Sequence, residues 1–306
     1  MRLDHPIFNG PLHPSITLSK HATPENYRHY HGGKALPAQL DTWQVQAGEC
    51  GKTVDYGMVS GPHGFEDSPD AEWISSGINS KGPSSMALGR HGNWFLWGFA
   101  GDPTQMTESA RQVFLNAIVW MKNFDGQVPL VTLSRESRQL SPRAQVLDLC
   151  AFVEAYGKNE QLIDYLRQQL PDTVLDECGL DAAKLEAYYR ERLEYMHPVV
   201  KTVKRKDYDA RICQYTIDET LEDLDVSNRN PEFLDKLGEL LGRGDPVARE
   251  LIDRYLPADV PRDAAGYRAW LGENRARLYF SDSYGYRWFV APKDLKRGGT
   301  AAAGGG

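Results

Sequence analysis

The sequence predicts an α/β domain followed by an all-α helical domain that ends in a β-hairpin. Three observations lead to this prediction. Two apolar segments, SSMALG and NWFLWGF, flank a glycine-bearing turn and precede an amphipathic helix. Helical stripes that begin at proline then fill the second half of the chain. Finally, residues 277–290 place two apolar runs around SDSYG, which is typical of a hairpin.

The composition is that of a globular protein and excludes several classes of function. The chain has 306 residues, enough for two domains, and is 41% hydrophobic and 25% charged. Its net charge of −7 is spread along the sequence, which argues against nucleic-acid binding because that needs a concentrated basic face. No run of 18 apolar residues is present, so we expect no membrane partner.

Residue usage changes along the chain and predicts a domain boundary within 126–141. Seven of the eight histidines precede residue 92, whereas Leu, Glu, Arg and Asp are commoner later. We therefore predict domains at 1–128 and 129–294 and a disordered tail at 295–306. The first ten residues lack the apolar core of a signal peptide, so the cytoplasm is the default expectation.

The first domain is predicted to contain short strands and one long helix. Alternating residues predict strands at Trp43–Gln46, Val54–Met58 and Trp73–Ile74. The segment GRHG is predicted to form the hairpin tip that carries Arg90 and His91. Apolar residues on both faces of NWFLWGF predict a central strand, with Trp94 and its neighbours buried between layers.

The helix after this hairpin has the clearest periodicity in the first domain. Thr107 is a good N-cap, and Gly126 can end the helix. The predicted buried stripe, at spacings of three and four, is Ala110, Val113, Phe114, Ala117, Ile118, Met121 and Phe124.

The second domain is predicted to be helical, with starts marked by a capping residue before proline. These starts are Ser141-Pro142, Asn230-Pro231 and Asp245-Pro246. The last two begin a pair of helices at 231–244 and 247–256. Further helices are predicted at about 142–156, 159–170, 181–196 and 263–276. The basic cluster at 201–206 is predicted to be a solvated loop rather than a phosphate-binding patch.

Three segments of the first domain resemble the C-terminal part of a ThuA-like domain, a branch of the class I glutamine amidotransferase-like superfamily. They are HPIFNGP at 5–11, GNWFLWGF at 92–99 and FLNAIVWM at 114–121. The resemblance implies a partial flavodoxin-like or amidotransferase-like sheet and a role connected with carbohydrate. The second half resembles HEAT-like helical pairs, although no fixed repeat period runs through it.

The chain departs from the family pattern in two ways that bear on catalysis. The histidine–proline segment begins at residue 5, so the resemblance implies that the half of the sheet that would bear the nucleophile elbow is missing, and we expect this chain to lack its true N-terminus. Phe99 follows the strand-end glycine where the family has a histidine. The resemblance therefore implies a degenerate domain without inherited chemistry.

His91 and Asp70 are the candidate catalytic residues. A glycine-flanked histidine at a sheet rim can transfer a proton, and Asp70 lies in the acidic segment FEDSPDAEW. Structural roles in a hairpin and a turn remain open for both. Cys50, in GECG, resembles half of a nucleophile elbow, but the second glycine is absent, which favours a turn cysteine.

Ligand-binding and metal-binding candidates lie in two other polar segments. Asn79 and Lys81 precede a predicted strand and could line a polar pocket with Arg90, although their segment lacks the phosphate-binding GxxxxGK[ST] pattern. His29 and His31 would share one face of an extended segment, where zinc or iron could bind with help from His21, His63 or Asp41. Exposed loop histidines are the alternative, and no cofactor is predicted.

Three functional hypotheses follow from these patterns. The first is a non-catalytic binding or accessory protein that takes a small polar or carbohydrate ligand. The second is a hydrolase that acts on a carbohydrate or an amide through His91 and Asp70. The third is a scaffold that binds a protein partner through the helical domain, which would require an apolar groove on the helices.

Overall fold

A computed structural model of the chain describes residues 1–46, 59–61, 68–99, 103–131, 142–157, 159–204 and 209–296. The chain divides into two compact units. The first unit is Met1–Leu130 together with the segment that starts at Asp294, and the second is Val131–Lys293. Helices and small antiparallel sheets make up both units.

Two antiparallel sheets form the strand part of the first unit. Strands β1 (Leu18–Ala22) and β2 (Gln39–Trp43) pair with each other. Strands β3 (Ala71–Ser76), β4 (Met86–His91) and β5 (Trp94–Trp97) form a three-stranded sheet in the order β3-β4-β5. β4 is therefore the central strand of this sheet.

The early strand predictions had mixed outcomes. Trp73 and Ile74 lie in β3, as predicted. The strand predicted over Trp43–Gln46 is wrong in position, because β2 ends at Trp43 and Gln46 makes only an isolated bridge with Met106. The strand predicted over 54–58 lies outside the described residues.

The β4–β5 hairpin is confirmed, but its tip is not where the sequence analysis placed it. The turn is Gly92–Asn93, and Gly92 has φ +57°, the left-handed conformation that such a turn needs and glycine adopts readily. Arg90 and His91 belong to β4 itself. β5 lies at the edge of the described sheet, so the expectation of a central strand is wrong, and Trp94 is 72% exposed.

Helix α1 (Glu108–Met121) is confirmed together with its cap, since the Thr107 hydroxyl accepts a hydrogen bond from the Ala110 N–H. The helix packs on the β3-β4-β5 sheet, where the rings of Phe95 and Trp120 are 6.3 Å apart. Ile118 was predicted to be buried but is 50% exposed, because Asn116 takes a buried position on the inner face of the helix.

The second unit contains eight helices among its described residues: α2 Pro142–Tyr156, α3 Glu160–Gln168, α4 Asp172–Cys178, α5 Ala182–Arg192, α6 Glu219–Asp223, α7 Pro231–Gly242, α8 Val247–Tyr255 and α9 Ala264–Asn274. Two antiparallel hairpins accompany them: β6 Met196–Lys204 with β7 Asp209–Ile217, and β8 Leu278–Ser281 with β9 Arg287–Val290. The predicted terminal hairpin is confirmed.

The β6–β7 hairpin corrects two predictions. Helix α5 ends at Arg192 rather than near residue 196, because a short 3₁₀ turn leads from it directly into β6. Lys201 and Lys204 were predicted to lie in a loop, but they occupy exposed positions on β6. Arg205 and Lys206 lie outside the described residues.

The apolar stripes of α7 and α8 are used in the core of the second unit. Buried side chains on α7 are Phe233, Leu234, Leu237 and Leu240, and those on α8 are Ala248, Leu251, Ile252 and Tyr255. Asn230 caps α7 through the Glu232 N–H, with Pro231 in the first turn as predicted. The apolar faces of α7 and α8 therefore pack inside this unit.

Candidate functional site

A buried charged cluster lies between the β3-β4-β5 sheet and the first residues of the chain. Glu72 Oε1 accepts a hydrogen bond from Arg90 Nε at 2.8 Å, and Nη2 of the same guanidinium forms an ion pair with it at 2.7 Å. His5 Nε2 lies 3.2 Å from Glu72 Oε2. The side chains of Arg90 and His5 are fully buried, so the cluster is part of the interior of the unit.

The electrostatics of this cluster favour an ionised carboxylate. Burial alone would raise the pKa of Glu72, but the hydrogen bond to His5 and the Arg90 guanidinium outweigh it and lower that pKa. The Arg90 guanidinium also stacks on the Phe124 ring, 3.8 Å from its centre. Arg90 was expected to line a ligand pocket, and the structure corrects this by placing it in the interior.

The three segments that carry the family resemblance meet in this region. The Asn116 side chain, on α1, donates to the carbonyl oxygens of Ile7 and Leu12, each at 2.9 Å, and accepts from the Leu12 N–H. The rings of His5 and Trp120 are in edge contact, with centres 4.6 Å apart. The buried amide of Asn116 thus holds the N-terminal segment against the helix.

Asp70 is fully buried, and its carboxylate oxygens accept hydrogen bonds from nearby donors. The Ser68 hydroxyl donates to Oδ1 at 2.5 Å, and the Leu130 N–H donates to Oδ2 at 2.9 Å. The carbonyl of Asp70 accepts from the Gly92 N–H, which ties this segment to the hairpin turn. These contacts give the carboxylate a structural role.

His91 is the neighbour of Asp70, as the catalytic hypothesis requires. Its Nε2 lies 3.6 Å from Asp70 Oδ1, and its side chain is 17% exposed. Burial lowers the pKa of His91 and Arg90 adds to this effect, while Asp70 opposes it. The imidazole is therefore neutral at pH 7 and can accept a proton. Ser68 bonds to Asp70 rather than to His91, so the three residues lack the order of a nucleophile–base–acid triad.

The other ligand-binding candidates, Asn79 and Lys81, belong to a loop that is held together by its own hydrogen bonds. Asn79 Nδ2 donates to the Gly77 and Gly82 carbonyl oxygens, and Asn79 Oδ1 accepts from the Lys81 and Gly82 N–H groups. The buried side chain of Asn79 thus stabilises the turn. Lys81 is exposed, and its ammonium group donates to the Val59 carbonyl at 2.9 Å.

The proposed metal ligands lie on an exposed turn. His29 ends a short 3₁₀ helix, Glu25–His29, and His31 lies in the turn that follows, so the expectation of an extended segment is wrong. No group of three or more His, Cys, Asp or Glu residues suited to a metal ion occurs among the described residues. His63 lies outside them.

The cysteines that the structure describes do not have the properties of nucleophiles. Burial raises the pKa of Cys150 and of Cys213 to about 12, so both thiols stay protonated at neutral pH. Cys178 is also buried and has a raised pKa. Cys50, the elbow candidate, lies outside the described residues.

A second buried carboxylate, Asp218, lies in the second unit and was missed by the sequence analysis. Its Oδ2 accepts hydrogen bonds from Arg254 at 2.5 Å and from the Tyr255 hydroxyl at 2.7 Å. The Tyr255 ring is in edge contact with His197, with centres 5.4 Å apart. Burial, together with Arg254, lowers the pKa of His197 to about 4. The β-branched residues of VVKTV at 199–203, which β6 contains, are the signal that could have identified this strand.

An open recess of about 420 Å³ lies beside α7 and α9 in the second unit. Gly238 and Gly242 leave room there, and Tyr267 and Leu271 line the opposite side. Its volume is that of a small-molecule cleft rather than of a groove for a protein partner. This recess is therefore not the apolar groove that the scaffold hypothesis requires.

Comparison with known proteins finds no matching family model, no matching curated protein and no matching solved structure. Among the described helices, none combines the length and apolar character needed to cross a membrane.

Proposed function

We propose that this chain is a non-catalytic binding or accessory module, with a first unit derived from the C-terminal part of a ThuA-like domain. The observation that best supports this proposal is the structural role of Asp70, the acidic catalytic candidate. Asp70 is fully buried and accepts two hydrogen bonds from the protein itself. A general acid or base must reach the proton that it transfers, and these contacts keep the carboxylate away from substrate.

The proposed ancestry rests on long-range contacts between the resembling segments. Asn116 bonds to Ile7 and Leu12, and Trp120 contacts His5. These contacts join HPIFNGP to FLNAIVWM across about a hundred residues. We assign the β3-β4-β5 sheet to the antiparallel margin of a flavodoxin-like or amidotransferase-like sheet, since mixed sheets often carry antiparallel edge strands.

A hydrolase that acts on a carbohydrate or amide is the second candidate, and one distance favours it. His91 Nε2 lies 3.6 Å from Asp70 Oδ1, and the lowered pKa of His91 keeps the imidazole ready to accept a proton. A nucleophile or an activated water beside the imidazole would complete this candidate.

An activity screen separates the two candidates. Wild-type protein and His91→Gln are incubated with p-nitrophenyl esters, p-nitrophenyl glycosides and amino-acid p-nitroanilides, and release of chromophore is followed. His21→Gln is the matched control, because His21 is an exposed histidine of the same unit. We expect the three proteins to have the same background rate. Turnover that drops tenfold or more only in His91→Gln would overturn the module in favour of the hydrolase.

A further inference from the structure

One side of helix α1 carries apolar side chains that remain open to solvent. Leu115, Ile118 and Val119 are 51%, 50% and 51% exposed. Their spacing of three and four residues places them next to one another on one side of the helix, opposite the buried Val113 and Trp120. We call the side formed by these three residues the outer face of α1. Single exposed apolar residues are ordinary, whereas adjacent ones form a patch that a partner can cover.

The composition of α1 favours a cover on both of its sides. Residues 113–121 (VFLNAIVWM) contain one polar residue, Asn116, among eight apolar ones. A helix that is apolar around its whole circumference is normally enclosed between two layers. The β3-β4-β5 sheet covers one side, where Phe95 contacts Trp120. Within the part of the chain that the structure describes, the outer face has no such second layer.

Charged residues of both signs border the outer face along the helix. Glu108 lies two turns and Arg111 one turn before Leu115, and these two charged side chains form an ion pair at 3.5 Å. Lys122 lies one turn after Ile118, is exposed, and keeps helical backbone angles. A partner surface with charges of a single sign would meet a like charge at one end of this stripe. The outer face therefore suits a partner that carries both signs.

A second copy of the chain meets these requirements. When two α1 helices pair antiparallel about a two-fold axis, each apolar stripe covers the other, with Leu115 beside Val119 of the second copy. The same pairing brings Glu108 to within about 6 Å, along the helix axis, of Lys122 of the second copy. A parallel pairing would instead set Glu108 against Glu108 and Lys122 against Lys122, and like charges in contact disfavour association.

We propose that the outer face of α1 is the interface at which two copies of this chain form an antiparallel, two-fold dimer. The inference is independent of the proposed function, because it uses neither the Asp70–His91 pair nor a ligand. A single pair of helices is a small interface between proteins, so the dimer is weak and forms at micromolar concentrations.

Sedimentation equilibrium of the full chain tests the interface. Wild type, Ile118→Glu and Ile78→Glu are compared at about 1 to 200 µM. Ile78 is the matched control, since it is also a 50% exposed isoleucine of the first unit but lies outside α1. We expect wild type and Ile78→Glu to dimerise equally. Ile118→Glu should associate at least about a hundredfold more weakly, because its dimer would bury two unpaired carboxylates. Circular dichroism and thermal unfolding check that both variants keep the fold.

Cysteine cross-linking tests the direction of the pairing. In the antiparallel dimer the two copies of residue 118 lie about 3 Å apart along the helix axis, whereas the two copies of residue 108 lie about 27 Å apart. A short bis-maleimide should therefore join two Ile118→Cys chains but not two Glu108→Cys chains. Wild type under the same conditions controls for the four native cysteines.

Three results would overturn the dimer, and none of them bears on the proposed function. A wild type that stays monomeric at the highest concentration would mean that no second copy covers the outer face. A dimer that is as stable in Ile118→Glu as in Ile78→Glu would place the interface elsewhere on the chain. Cross-linking of Glu108→Cys without cross-linking of Ile118→Cys would contradict the antiparallel arrangement.

Discussion

Each unit of the molecule holds a histidine near a buried aspartate, and the two pairs differ in their surroundings. In the first unit, His91 lies beside Asp70 and is the cross-strand partner of an exposed tryptophan. In the second unit, His197 contacts the ring of Tyr255, whose hydroxyl donates to Asp218. Burial lowers the pKa of both histidines.

The comparison teaches that a perturbed pKa does not by itself identify a functional site. Asp218 accepts from Arg254 and Tyr255 and also caps helix α6 through the Thr220 N–H, so its charge is balanced inside the fold. What distinguishes the first pair is that His91 is the cross-strand partner of Trp94, which is 72% exposed. A perturbed pKa needs such a second observation before it identifies a functional site.

The largest effect is expected when a buried charge is removed from the first unit. Arg90→Met leaves the carboxylate of Glu72 in the interior without its cation. We expect the free energy of unfolding to fall by about 3–5 kcal/mol, as for other buried ion pairs that lose one partner. Urea denaturation measures it. Restoring about half of the loss with Glu72→Gln in the same chain would assign the effect to the charge.

Arg254→Met is the matched variant in the second unit. Arg254 is 34% exposed, so solvent screens part of its interaction with Asp218, and Tyr255 still donates to the carboxylate. We expect a smaller loss, about 1–2 kcal/mol. A loss as large as that of Arg90→Met would contradict the difference drawn between the two clusters.

The pH dependence of stability sharpens the comparison for His197. Its pKa is about 4 in the folded chain and about 6.5 in an unfolded one. Between these values the unfolded state binds more protons, so acid favours unfolding, and the stability contributed by neutral His197 is lost as the pH falls from 6.5 to 4. We expect His197→Phe to remove about 3 kcal/mol of the change in unfolding free energy across this pH window.

Val200→Ala serves as the control for that measurement. Val200 lies on the same strand, is 36% exposed and does not titrate. Its variant should keep the wild-type slope. If His197→Phe keeps it as well, the loss of stability in acid comes from other groups.

The smallest effect is expected at Trp94. Because its ring is 72% exposed, Trp94→Ala should change the free energy of unfolding by no more than about 0.5 kcal/mol. Phe95→Ala, one residue along the strand, should cost about 2–3 kcal/mol since Phe95 packs against the core that α1 covers. Thermal unfolding compares the two. A large loss in Trp94→Ala would mean that the ring supports the fold despite its exposure.

The elements whose signals are local were predictable from the sequence. Helix α1 follows from its apolar spacing and the Thr107 cap, and α7 follows from Asn230-Pro231. The β4–β5 and terminal hairpins follow from apolar runs around turn residues. In each of these, the residues that decide the conformation lie within a few positions of one another.

The candidate site was predictable only in part, because its contacts join distant residues. His91 and Asp70 were both chosen from the sequence, but the burial of Arg90 was not foreseen. Arg90 lies two positions after Leu88 on β4, so both side chains point to the same inner face. The glycines at 89 and 92, however, are typical of a turn. The His5–Glu72 contact spans 67 residues and has no local signal.

The hydrogen bonds between Asn116 and Leu12 have a consequence for the order in which the chain folds during synthesis. The two residues are 104 positions apart. At about 5–20 residues per second, roughly 5–20 s pass between the appearance of one and of the other. During that interval the apolar side chains of Ile7 and Phe8 have no α1 to cover them. The nascent first unit is thus exposed to aggregation until α1 emerges from the ribosome.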